Sequence, residues 1–295
     1  MKMDRSNLVA ALLFFVLFNI YGVTSKSEAQ VLQGDSWSDT QAEGAGEIII
    51  AFYEEDAFAY YDDEGNPSGV SIEILNQFIN YVQNTHNIEL DVSYISYDSW
   101  SQFYSDITES SGGVFGLGNV TITEERKQEL NFSPSYLTNI AVLITHESVE
   151  DLSSLEQISD EFSNKTAVSY TGTTHEGRIN ELVEQGWDDL SIESVATDGE
   201  VVDFVSNNPQ SFGYIDLYNY WLAAEEHNRP VKRHAVGDQA SEDFGFIMPL
   251  DSDWDDELDN FFHIGSGFRA TNLYRDILQE YLGREVSRLL QMARQ

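Results

Sequence analysis

The sequence predicts an α/β protein. Short apolar runs rich in β-branched residues, EIIIAFY at 47–53 and IAVLIT at 140–145 among them, have the length of buried strands. The segments between them carry apolar residues at helical spacing, as at 70–82, where Ile72, Leu75, Phe78, Ile79 and Val82 share one face. A chain of 295 residues, 41% hydrophobic, is long enough for one large or two modest cores.

The beginning of the chain reads differently from the rest. Lys2 and Arg5 precede an apolar run at 8–23, and Ser27-Glu28-Ala29 supplies a small-residue cleavage pattern. Residues 1–29 therefore read as a secretory signal peptide, cleaved after about Ala29. An uncleaved N-terminal anchor is the alternative, although the run is short for a membrane span. With no cysteine, neither a lipidated N-terminus nor a disulfide is expected. The expected location is the periplasm, and not as a lipoprotein.

Charge narrows the partners. There are 51 acidic residues against 15 basic ones, for a formal net charge of −36. Such a field repels nucleic acid and anionic membrane surfaces. Beyond residue 29 the only lysines are Lys127, Lys165 and Lys232. An acid-rich, lysine-poor, halophile-like surface suits high salt, where screening weakens self-repulsion.

Taken in order, residues 30–46 are polar and weakly patterned and read as a linker, so the fold is expected to start at Glu47. The strand 47–53 leads through Phe58, Tyr60 and Tyr61 to a turn at 62–67, then to the helix at 70–82. LDVSYI at 90–95 alternates as a second strand, and Tyr97-Asp98-Ser99-Trp100 opens a helix. The stretch at 116–136, GLGNVTITEERKQELNFSPSY, follows as a strand end, a turn and a helix start. Gly116, Gly118 and Asn119 allow a sharp turn or the close approach of a guest. Thr121 offers a hydroxyl; Thr123 is a good helix N-cap, with Glu124 and Glu125 suited to the helix dipole. Arg126 lies in that first turn, where its guanidinium matches a carboxylate with two parallel hydrogen bonds. Spacing alone equally allows Arg126 on an exposed helix face among glutamates.

Residues 140–145 read as a strand crossing to a second lobe, and 165–169 as another strand. Next, Tyr170-Thr171-Gly172-Thr173-Thr174 feeds a helix beginning near His175. Such a turn presents amides and hydroxyls to an anion, with ordinary capping as the alternative. His175 itself is expected at the surface, and Glu176 would serve as a general acid only if buried. A helix at 199–205, a strand at 210–215 and a helix at 217–224 come next, and 231–236 reads as the return crossover. A strand at 244–248 and a helix at 254–262 lead to the closing helix at 273–282, with Leu273, Ile277, Tyr281 and Leu282 on one face. The tail at 284–295 is mildly helical and carries no functional reading.

The run NVTITEERKQELNFSPSY resembles the G-M-T-I-T-x-E-R-x-x-x-x-x-F-S-x-P-Y signature of extracytoplasmic solute-binding proteins of the polar amino acid ABC transporter family. It departs from that signature at Asn119, and Ser133-Pro134-Ser135-Tyr136 lacks the aromatic doublet. Other segments resemble the family in order along nearly all the chain after residue 46. The strand, aromatic loop, glycine turn and helix at 47–82 resemble the family's opening, with Ala51 in place of a glycine, Ala57 in place of a proline and a loop one residue short. Residues 97–100 resemble W-D-G-L, the Gly-Thr-Thr turn resembles Q-G-[ST]-[ST], and 274–283 match Y-x-x-I-x-x-x-Y-L-G.

The resemblance implies a two-lobed, type II periplasmic-binding-protein-like α/β fold, its lobes joined by two crossover strands. Residues 47–139 and 238–295 would form lobe 1 and residues 140–237 lobe 2. It implies that Arg126, Thr121, Asn119, Thr173 and Thr174 hold a ligand carboxylate and that Asp216 and Gly118 hold its ammonium. Asp216 at a strand end would equally cap a helix. Tyr53 is the first choice for the aromatic cover. Tyr97 matches the stacking position, with core packing as its alternative, and Glu54, Glu55 and Asp56 lie in the loop that faces ligand side chains in relatives. An inward-pointing acid there would select a cationic guest; solvated acids are the alternative.

The function implied is capture of an amino acid or related small carboxylate between two lobes for delivery to an ABC transporter permease, by a monomer needing no cofactor or metal. Because relatives of this fold include cyclohexadienyl dehydratases, a lyase is the competing reading, followed by a sensory or regulatory domain. Against catalysis, there is no cysteine nucleophile and no serine motif at a strand-to-helix elbow.

Overall fold

The structure is a computed structural model that describes residues 31–154, 162, 164–184 and 190–293; the expected signal peptide lies outside the described residues. In chain order, α1 (Trp37–Glu43) leads into β1 (Ala45–Tyr53), followed by a hairpin of β2 (Tyr60–Tyr61) and β3 (Pro67–Ser68). Then come α2 (Val70–His86), β4 (Glu89–Tyr97), α3 (Trp100–Thr108), β5 (Val114–Thr121), β6 (Leu130–Phe132) and β7 (Leu137–His146). Beyond these lie β8 (Thr166–Tyr170), α4 (Thr174–Glu184), β9 (Ser191–Val195), α5 (Asp198–Asn207), β10 (Ser211–Asp216), α6 (Leu217–Trp221) and β11 (Val231–Arg233). The chain returns along β12 (Gln239–Pro249) and ends with α7 (Asp255–His263) and α8 (Asn272–Ala293).

The strands form one curled sheet in the order β4-β1-β5-β12-β7-β10-β8-β9, with β6 beside β12 and β11 beside β7. Two parallel groups stand at its ends: β4, β1 and β5 on one side, β10, β8 and β9 on the other. Antiparallel β12 and β7 join them. Each of these long strands pairs with both sides: β7 meets β12 along Leu137–Ala141 and β10 along Ala141–Thr145, and β12 meets β7 along Gln239–Phe244 and β5 along Phe244–Ile247. The architecture is thus two α/β halves held by two shared strands. That is the fold class expected from the resemblance.

Local chemistry explains the elements. The apolar face of α2 buries Ile74, Leu75, Phe78 and Val82, all at 0% exposure, and Phe78 meets Trp254 and Phe115 edge-on or tilted within about 6 Å. The helix ends at Asn87, which takes the left-handed conformation asparagine tolerates.

Four sequence expectations are corrected. The stretch 30–46 is not a bare linker where it is described: Leu32 is buried, Ser36 caps α1, and the backbone amides of Trp37 and Ser38 donate to Asp253. Trp37 packs on Trp254, whose Nε1 donates to Asp35 O at 2.9 Å; the polar composition hid these tertiary anchors. The return crossover is β12, and 231–236 gives only the edge strand β11 and a 3-10 turn. The helix expected after Thr123 is a single 3-10 turn, Arg126–Gln128, because Leu130–Phe132 pairs with β12 instead. Finally, the buried face of α8 is Tyr274, Ile277, Leu278 and Leu282, whereas Leu273 is 46% exposed. The helix continues through the tail after a break at Gly283, burying Val286 and Leu290.

Candidate functional site

The C-terminal ends of the two parallel strand groups border a cavity of about 490 Å³, lined by residues from both halves. Crevices at strand carboxyl ends are where open α/β sheets bind ligands, and this volume suits a small molecule. Tyr53 ends β1, Thr121 ends β5, Tyr170 ends β8 and Asp216 ends β10, and all four line the cavity.

One wall carries the arginine. Arg126 is held by its own turn: its amide donates to Thr123 Oγ1 at 3.2 Å and its Nη1 to Thr121 O at 3.1 Å. Its guanidinium lies 5.9 Å from the ring centroids of both Trp100 and Tyr104, within cation–π range. Among the described residues no carboxylate forms an ion pair with Arg126, whereas Arg178, Arg229 and Arg233 each hold one. Burial pushes its pKa down, with surrounding charges, chiefly Tyr104 and Glu242, opposing the shift. Gly118 belongs to this wall, and a Cβ there would come within 2.9 Å of Phe103, beside Trp100; the glycine lets α3 pack close to β5.

The opposite wall carries Asp216. Its Oδ1 accepts from Asn139 Nδ2 at 2.7 Å and lies 3.2 Å from His175 Nε2, while its Oδ2 has no protein partner among the described residues. His175 overturns the surface expectation, being only 5% exposed on the cavity wall. Arg178 Nη1 lies 3.1 Å from His175 Nδ1, and since arginine can only donate, Nδ1 is the acceptor and Nε2–H faces Asp216. Arg178 also pairs with Glu242 Oε1 at 2.6 Å, both side chains under a tenth exposed. Burial disfavours the Glu242 charge, yet Arg178 and His175 hold its pKa below the ordinary carboxylate range. A register shift in β12 beside Glu242 leaves it facing Asn139, in the manner of a bulge re-aiming a side chain.

A third cluster fills the floor. Of the three acids at 54–56, all on the cavity wall, Glu55 is the one drawn inward, where the exposed Glu54 of the sequence expectation stays out. The reason is local: Glu55 accepts from Asn119 Nδ2 at 3.0 Å and from Asn219 Nδ2 at 3.3 Å, one residue from each half. Its pKa is raised well above the usual range, mainly by burial and then by Asp216 and Asp198. Asp198 accepts from Asn219 Nδ2 at 2.6 Å through Oδ2, and its Oδ1 is buried with no hydrogen-bond partner. Burial, followed by Asp216, pushes Asp198 up to about 6, with His175 opposing.

The remaining expectations divide. Tyr53 lines the cavity, edge-on to Trp100 at 5.7 Å, and its hydroxyl accepts from Tyr170 across the cleft at 3.4 Å. Thr121, Thr173 and Thr174 line it too, but Thr173 Oγ1 donates to Tyr170 O and Thr174 Oγ1 to Glu242 Oε1. What remains of that turn for an anion is the first-turn amides of α4. Glu176 caps that turn by accepting from Gly172 N, at a glycine whose φ of +79° the turn requires. The side chain of Asn119 donates from Nδ2 to Glu55 and accepts at Oδ1 from the Tyr136 hydroxyl at 2.6 Å, so it positions Glu55. Tyr97 is off the cavity wall: its ring is buried and its hydroxyl donates to Asp106 Oδ2. Trp100, three residues on and half-buried, is the member of that aromatic group that lines the cavity.

Sequence reasoning missed Glu55 as the inward acid, Asp198, Trp100 and His175. The Asp-Gly start of α5 was the only visible hint of Asp198. His175, Asp198 and Asp216 bring ligating atoms within 4.8 Å of one another. They do not make a metal centre, because the one free lone pair of neutral His175 is on Nδ1 and occupied by Arg178. The arrangement suits an organic cation that donates hydrogen bonds.

A family model for bacterial extracellular solute-binding proteins, family 3, matches residues 48–283, and the chain belongs to that family. Solved structures similar to it include an ancestral arginine-binding protein bound to arginine, with 15% identity, a TM-score of 0.62, and coverage of 80% of this chain and 98% of that one. The GluR0 ligand-binding core from Nostoc punctiforme in complex with L-glutamate is 16% identical with a TM-score of 0.61, covering 80% and 100%. The arginine-, lysine-, histidine-binding protein from Geobacillus stearothermophilus is 17% identical with a TM-score of 0.58, covering 82% and 99%. These similarities are similarities of fold. No curated protein matches the sequence. No helix among the described residues is long and apolar enough to cross a membrane.

Proposed function

We propose that this protein captures a cationic α-amino acid between its halves and presents it to the permease of an ABC importer. The observation that carries the reading is the unpaired guanidinium of Arg126 on the cavity wall of a chain with 51 acidic residues. A half-buried arginine left without a carboxylate, in such a composition, suits a ligand that brings its own. On the far wall Asp216 keeps Oδ2 for an ammonium, and Glu55 with Asp198 adds two more carboxylates, one with an orphaned oxygen. A ligand with one carboxylate and two cationic groups meets a counter-charge at each end. The fold relatives described as arginine binders are in keeping with this.

Contacts from both halves favour a closed form by their differential affinity, and that form is what a permease would read. On this reading residues 47–139 and 238–295 make one lobe, with the segment from Leu32 to Gly46 packed on it, and 140–237 make the other. The protein works as a periplasmic monomer after cleavage near Ala29, and without catalysis.

Titration calorimetry with arginine, lysine, glutamine, glutamate and agmatine tests it. Arginine or lysine binds tightest, and agmatine, which lacks the carboxylate, binds at least roughly tenfold more weakly than arginine. Equal affinity for agmatine, or a preference for glutamate, contradicts it.

A further inference from the structure

Within the reading above, on which this inference rests, we propose that His175 is a positioning residue for Asp216 and makes ligand capture proton-linked: a proton on His175 and the ammonium of the ligand compete for one carboxylate.

The geometry is a buried chain of charge. Glu242 on β12 pairs with Arg178 on α4; Arg178 donates to His175 Nδ1; His175 Nε2–H faces Asp216 Oδ1 at the end of β10. With Asn139, which also donates to Oδ1, His175 fixes the carboxylate so that Oδ2 is left for a guest. In this state, with Nδ1 accepting from Arg178, the imidazole is neutral and sets no positive charge against Asp216. Protonation at Nδ1 requires Arg178 to give up that contact and turn wholly to Glu242. It then places a cation against Asp216, which cancels the attraction the ligand would have used.

The charged groups facing the imidazole among the described residues are Asp216 from β10, Asp198 from α5, Glu242 from β12 and Arg178 from its own helix. Burial disfavours the imidazolium, but the hydrogen bond to Asp216 and the charges of Asp216, Asp198 and Glu242 prevail, lifting the pKa above the ordinary histidine value. An arriving ammonium adds positive charge beside this ring and lowers that pKa again. By linkage the ligand expels the proton, so affinity falls as pH falls through the histidine range.

The test compares the pH dependence of arginine binding, by calorimetry between about pH 5 and pH 8, in the wild-type protein and His175→Gln. Glutamine can donate to Asp216 but does not titrate. Wild-type affinity is expected to fall more steeply on acidification, by up to about tenfold more per pH unit than that of the variant. Both titrations are repeated in an Asp198→Asn background, because His175 itself shifts the titration of Asp198. Equal slopes overturn the proposal while leaving the ligand reading intact; absence of arginine binding by wild type at pH 8 overturns that reading as well. Should His175→Gln not fold, 15N-histidine spectra decide, recorded in a His227→Gln background because His227 is the other histidine on the cavity wall. Saturating arginine lowers the titration midpoint of the His175 imidazole, and not that of the other buried histidine, His234, which lies off the cavity wall, if the proposal holds; an unmoved His175 midpoint overturns it.

Discussion

Arg178 and Glu242 form an ion pair at 2.6 Å with both side chains less than a tenth exposed, joining the first turns of α4 to the returning strand β12. The pair is further satisfied: Arg178 Nε donates to Gln239 Oε1, and Glu242 accepts from Thr174 and Asn139. Removing one partner strands a buried charge, so Arg178→Met is expected to cost about 3–5 kcal/mol. Urea denaturation of the variant measures this, and a loss below about 1 kcal/mol contradicts the assignment.

Glu55 stands between Asn119 and Asn219 and is the acid of its loop that enters the cavity. Glu55→Gln keeps the shape and removes the charge. The expected result is arginine affinity reduced by about 1–3 kcal/mol with glutamine affinity unchanged or improved. The same test on Glu54→Gln, an exposed position, moves arginine affinity by less than about 0.5 kcal/mol.

The buried carboxylates also set a pH dependence. Asp198 is pushed up to about 6, and Glu55 is raised well above its ordinary value. A carboxylate whose folded pKa is raised binds protons more tightly in the folded state. Its contribution to stability is therefore lost as pH rises from the unfolded value of about 4 through the folded one. The ligand-free protein is expected to melt at lower temperature at about pH 7.5 than at about pH 5.5, by a margin that shrinks in Asp198→Asn. Equal margins in wild type and variant contradict the assignment to Asp198.

The aromatic positions show how far the sequence could be read. Tyr97 matched a stacking position by motif, yet its hydroxyl is committed to Asp106 and its ring to Phe103, leaving Trp100 at the cavity. Motif spacing fixes which strand end is involved, but which of two aromatics faces the guest depends on tertiary partners. The same limit applies to Glu54 and Glu55, separated only by which one meets two asparagines from distant parts of the chain. It applies again to α8, where helical spacing put Leu273 on the packed face; Tyr274 is buried there instead, locked by its hydroxyl on Tyr136 O. The strands, by contrast, were legible because long β-branched runs have few alternatives, as β1 and β7 show. Accordingly, Tyr97→Phe is expected to leave arginine affinity within about threefold while lowering stability by about 1 kcal/mol. Trp100→Ala is expected to weaken binding at least about tenfold, because it also removes the ring beneath Arg126. Calorimetry and melting curves on the two variants separate these effects.

The central claim is that Arg126 grips the carboxylate of an amino acid held between the two halves. Calorimetric titration of wild type and Arg126→Ala with arginine tests it most directly. The account predicts a folded variant whose affinity is cut by roughly 2–5 kcal/mol, since the ligand carboxylate loses its one cationic partner; affinity unchanged from wild type would contradict it.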